Sequence, residues 1–191
     1  MSSAAPQRAP LHPRIQELID YITMHRDALH EAVSTVPSEL RERKPEPGRW
    51  SVAEVLEHLS LIEGRVAALL TMHATAARTK GIGPDPETSS VVASFVNPHN
   101  VTDRTTKIVA PKPVTPTGTL DTPGGTQALQ QSRAAMLDSL HGANGVSLES
   151  LVQAHPVLGP LNMYHWIVAL GLHDARHAAQ IREIGQSLAP G

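Results

Sequence analysis

A serine at position 51, a glutamate three residues on and an apolar stripe through Val52, Val55, Leu56, Leu59, Val66 and Leu70 constrain this chain more than any other feature. The hydroxyl and the carboxylate can close a capping box over the first N–H groups of a helix, and the stripe repeats with the period of one helix face. Three further segments share that period. One spans about 14–36 with Ile15, Leu18, Ile22 and Leu29, and a shorter one spans about 126–141 with Leu129, Met136 and Leu140. The last opens at Pro160, a favoured first-turn residue, and carries Trp166, Leu170, Ile181 and Ile184. Helices that are apolar on one side must bury that side against one another. The expectation is an all-α fold, a four-helix bundle in a single domain over 14–187.

Glycines at 81 and 142 are placed to end the second and third helices. Between those helices lies a stretch, 81–125, that holds seven prolines and is too long for a hairpin. An extended chain covers more than twice the distance per residue of a helix, so this crossover could climb the whole bundle and let helices two and three run parallel. It shows no apolar period for a third layer, although a short strand near 107–110 is allowed.

Sixteen basic against eighteen acidic residues leave a formal charge of −2, which offers no footprint for nucleic acid or an anionic membrane. No cysteine is present, which excludes disulfides, thiolate ligands and a cysteine nucleophile. The first residues, MSSAAPQRAPLHP, lack the apolar core of a secretory signal. A flexible tail over 1–13 and a cytoplasmic protein are therefore expected.

Histidine is the outlier, with eleven in the chain. His173 and His177 stand four residues apart on the apolar stripe of the last helix, so both imidazoles face one point inside the fold. Each could give a ring nitrogen to a metal, with a further ligand from another helix, or both could be core histidines bonded to neighbours. His58 lies at the border of the apolar face of helix two, between Val55 and Ile62. It can serve as that further ligand or merely cap the core edge.

Other groups also allow more than one role. Asp174 makes His173-Asp174-Ala175-Arg176-His177 similar to the H-E-x-x-H of zinc proteases, but no sheet to bind peptide is evident. It is expected to orient a ligand histidine or to pair with Arg176 or another charge. His25, on the inward edge of helix one, could shuttle a proton or be an interior histidine. Glu63 falls on the apolar side of helix two and should pair with a charge on a neighbouring helix, whereas Glu57 faces away from the core and is expected in solvent. Trp50 and Trp166 read as packing residues, with Trp166 close enough to line a pocket.

The run Arg49-Trp50-Ser51-Val52-Ala53-Glu54-Val55-Leu56-Glu57-His58-Leu59 resembles the motif opening helix two of the DinB-like (DinB/YfiT) superfamily. The stretch from His155-Pro156 through Trp166 to His173-Asp174-Ala175-Arg176-His177 is similar to that family's C-terminal signature. The resemblance implies an up-down-down-up bundle and a divalent metal, zinc or nickel before iron, on His58, His173 and His177. It also implies a small-molecule substrate, with a low-molecular-weight thiol as cosubstrate in the characterised thiol-dependent transferases and isomerases, and a homodimer. Hydrolysis and metal or ligand binding without turnover are the competing functions.

Overall fold

A computed structural model describes residues 10–106 and 108–189, which are predominantly helical. Its long helices are α1 (Pro13–Ser34), α2 (Val52–Thr79), α4 (Thr122–Ala143) and α5 (Met163–Leu188). A one-turn helix, α3 (His99–Thr102), lies in the crossover, and a hairpin of β1 (Val152–His155) and β2 (Gly159–Asn162) precedes α5. No helix among the described residues is long and apolar enough to cross a membrane.

The ends of α2 follow the sequence signals. Ser51 and Glu54 close the capping box, and Gly81 takes φ +74° beyond the last turn. That conformation lets the N–H groups of Gly81 and Ile82 reach the carbonyls of Arg78 and Ala77.

Two helix starts depart from expectation. α4 begins at Thr122, not near 126, because Asp121 caps it by accepting from the Gly124 N–H at 2.8 Å. The Gly124-Gly125 pair argues against helix by propensity, yet Gly125 lets α4 close on α2. A Cβ there would lie 3.0 Å from that of Leu56. The last helix starts at Met163 rather than Pro160, since Pro160 pairs with Ala154 in the hairpin and Asn162 provides the cap. Strands therefore occur at 152–162, while 108–110 has none and Lys107 lies outside the described residues.

Two apolar clusters fill the interior. One gathers Ile15, Leu18, Ile22, Leu70, Met136 and Ile167, and the other gathers Leu29, Val55, Leu59, Leu129, Ala178 and Ile181. Between them on all four long helices lies a charged layer. Arg26 donates to Asp174 (2.9 Å) and Glu63 (3.1 Å), and Arg133 pairs with the same two carboxylates at 3.1 and 2.7 Å. The Ser132 hydroxyl adds a bond to Glu63 at 2.7 Å. Two positive and two negative groups thus offset one another's desolvation, as buried charges require. Glu63 does pair with neighbouring helices, through Arg26 and Arg133.

The crossover is part of the core. Val91, Phe95 and Val101 join the first cluster, and Val114 is also buried. Anchors spaced irregularly along an extended chain leave no period to read. At the N-terminus, residues 1–9 of the expected tail lie outside the described residues. Of the rest, His12 caps α1, and Asn144 Nδ2 donates to the Pro10 carbonyl at 3.1 Å.

Candidate metal centre

One helical turn brings His173 and His177 together, with their Nε2 atoms 3.0 Å apart. His58, in the second turn of α2, meets them with its ring centre 5.3 Å from His173 and 5.0 Å from His177. One ring nitrogen from each histidine lies within 4.8 Å of the other two. His58 and His177 are buried and His173 is partly so. Trp50 packs on the group, 4.7 Å from the His58 ring and 6.4 Å from that of His177.

Two outer contacts fix which nitrogens are free. His58 Nδ1 lies 2.6 Å from the Val114 carbonyl oxygen. A carbonyl only accepts, so Nδ1 carries the proton and Nε2 keeps its lone pair. His177 Nδ1 makes the corresponding bond to Gln180 Oε1 at 2.8 Å. The Nε2 atoms of His58 and His177 are thus left as bases, His173 Nε2 donates its proton to that of His177, and His173 Nδ1 is buried without a partner among the described residues. Burial holds all three imidazoles in the neutral form. It pushes His173 down to about 3 and His177 well below the ordinary histidine range, and it lowers His58 against the opposing Val114 bond.

This donor set fits a divalent ion. Neutral nitrogens suit zinc, nickel and iron, and two ligands on one tetrahedral zinc would stand about 3.3 Å apart, close to the spacing of His173 and His177. Such an ion would be left with free positions.

The crossover closes over this end of the helices, held by residues beside the histidines. Glu57 is not in solvent as its helix face suggested, but 5% exposed. Its carboxylate accepts from the Thr117 N–H (2.9 Å), the Thr117 hydroxyl (2.6 Å) and the Gly118 N–H (3.1 Å). Burial acts to raise this carboxyl, but the three bonds outweigh it and hold it below the usual glutamate value. The face of α2 turned from the other helices is covered by the crossover, so every residue from 51 to 60 is buried. On α5, Arg176 donates to the carbonyls of Val101, Asp103 and Thr106.

The other sequence candidates lie elsewhere. Asp174 is turned into the charged layer, where Arg26 and Arg133 occupy it, and it makes no bond to a ligand histidine or to Arg176. His25 meets Tyr21 edge to face with ring centres 4.5 Å apart, beside Gly171. Trp166 packs on His155 at 4.6 Å and donates its indole N–H to the Gln153 carbonyl. A groove of about 660 Å³ between crossover and hairpin is lined by Phe95, Asn100, Asp103, Leu158 and His165 rather than by the three histidines.

Compared with known proteins, residues 21–181 match the model of the DinB superfamily, a span that includes Trp50 and all three histidines. The chain belongs to the DinB superfamily. This DinB protein is similar to the uncharacterized protein YuaE of Bacillus subtilis (strain 168), 29% identical over 153 residues, or 76% of the chain and 83% of that relative. No solved structure matches it. DinB membership and the histidine cluster together suggest metal binding.

Proposed function

We propose that the protein binds one divalent metal ion, zinc or nickel in preference to iron, through His58, His173 and His177. The ion would serve to activate a low-molecular-weight thiol for transfer to a small electrophile. The observation that carries this reading is the convergence of three neutral imidazoles from two helices, with two of their outer nitrogens committed to Val114 and Gln180. A divalent ion bound there would supply Lewis acidity, lowering the pKa of a thiol or water at a free position.

The chain's own residues define the surroundings. Trp50 covers the imidazoles on one side, and Arg176 holds the crossover beside them. Among the described residues no carboxylate joins the cluster, and Asp174 and Glu57 are both committed to other partners. A thiol is more acidic than water from the start, so a bound ion has less to do to ionise it. This favours thiol transfer over hydrolysis. Family resemblance points the same way.

The finer fold belongs to the same proposal: an up-down-down-up bundle with α2 and α4 parallel. In support, Glu63, Ala67 and Arg78 on α2 meet Ser132, Ser139 and Gly142 on α4, advancing together along both helices. A cytoplasmic homodimer acting on small molecules completes the reading.

The test is elemental analysis of protein purified without a histidine tag, followed by a screen of thiols against electrophiles. Metal with thiol-dependent turnover would support the proposal. Metal with hydrolysis alone would replace thiol transfer with the hydrolase reading. Loss of fold on chelation, with no exchangeable water at the metal, would indicate a structural ion.

A further inference from the structure

His58 is the one member of the cluster whose outer partner comes from a distant part of the chain. Its Nδ1 donates to the Val114 carbonyl, 56 residues away. Val114 ends a 3-10 turn, Lys112–Val114, in the last limb of the crossover before α4, and its side chain is buried. Beyond that turn the limb is held where Thr117 and Gly118 present two backbone N–H groups and a hydroxyl to the Glu57 carboxylate. Gly118 has φ +71°, the left-handed conformation that favours glycine. Glu57 has no cationic partner among the described residues, and both of its oxygens are used on the crossover.

Resting on the metal-binding reading above, we propose that Glu57 is a positioning residue for the metal centre, clamping Thr117 and Gly118 so that the Val114 carbonyl holds His58 in the Nδ1–H tautomer with Nε2 free to ligate. The carboxylate acts through the crossover, not by touching the metal. The clamp and the ligand are adjacent on α2, but their side chains reach the limb three residues apart, at Val114 and at Thr117. A shift of the limb at Thr117 therefore carries the Val114 oxygen away from the imidazole. A histidine released from such a partner samples both tautomers, and loss of an outer partner typically weakens metal affinity by about ten- to a hundredfold.

The test uses the full chain and reads two quantities. Long-range proton–nitrogen NMR spectra of the metal-free protein report the tautomer of each histidine, and competition with a chromophoric chelator reports zinc affinity. In the wild type His58 and His177 should both be Nδ1–H. In Glu57→Ala, His58 should become a mixture of tautomers and zinc affinity should fall by about ten- to a hundredfold, while His177, held by Gln180, stays unchanged. Glu57→Gln keeps one acceptor oxygen but turns an amide N–H₂ toward the Gly118 donor, so its effect should be intermediate. Arg104→Ala breaks an exposed pair with Glu183 that ties the same crossover upstream, and should alter neither readout. If Glu57→Ala fails to fold, Thr117→Val removes the hydroxyl with its bonds to Glu57 and to Thr119, keeps the Thr117 N–H bond to Glu57, and should shift both readouts in the same direction. A folded Glu57 or Thr117 variant with unchanged His58 tautomer and zinc affinity overturns the proposal. If the wild type binds no zinc, the metal reading fails, while the tautomer spectra still decide whether Glu57 holds His58.

Discussion

The Nδ1 proton of His58 is committed to a backbone carbonyl, so a single nitrogen remains for chemistry, and the same holds at His177 through Gln180. Alanine at His58, His173 or His177 should lower divalent-metal affinity by at least about a hundredfold, more than loss of an outer partner, with helicity retained by circular dichroism. The protonation of these residues also sets a pH dependence. Their folded-state values lie below the ordinary histidine value, so between pH 6.5 and 5 the unfolded chain takes up protons that the folded chain refuses. Stability of the metal-free protein should therefore fall as pH drops through that window, above the range where carboxylates titrate. Urea midpoints at pH 7.5 and 5 would show it, and a midpoint that holds constant would contradict the assigned burial. The histidines were legible because residue type and i, i+4 spacing announce them. Gln180, three residues after His177, is in reach on the same helix, but nothing in its residue type marked it as the partner. The Val114 carbonyl was not, since every residue has one, and Glu57 was misplaced because a helical wheel knows nothing of a strap on the outer face.

Among the helices, apolar periodicity gave all four long elements and the capping box gave the start of α2. Periodicity failed at starts governed by other signals: the Asp121 cap ahead of two glycines, and a hairpin that claims Pro160. The charged layer was only half readable. Glu63 stood out as an acid on an apolar face, but Arg26 and Arg133 gave no sign that they would turn inward to meet it. Asp174 sits in that layer at 1% exposure. Removing it leaves Arg26 and Arg133 with one carboxylate between them, and Asp174→Ala should cost roughly 3–5 kcal/mol by urea denaturation. A loss under about 1 kcal/mol would mean that the layer is hydrated. Replacing all four charged residues together with well-packed apolar ones should be close to neutral, since the penalty comes from breaking the set.

At the scale of the molecule, the crossover unites the fold and the site. Its sequence shows no apolar period for a third layer, yet it buries Val91, Phe95, Val101 and Val114 and gives His58 its outer partner. Replacing it with a short flexible linker should therefore lower the melting temperature and weaken metal binding together, even though the three histidines lie on helices. Unchanged metal affinity in the shortened protein would show that the strap is only structural. Everything proposed about activity rests on His58 joining the α5 pair across two helices to hold one ion. The most direct test is the metal content of untagged wild-type and His58→Ala proteins, measured by elemental analysis after equilibration with zinc and removal of free ion. The prediction is about one equivalent per chain in the wild type and a fall to background in the variant. Equal metal in both proteins, or none in the wild type, would contradict it.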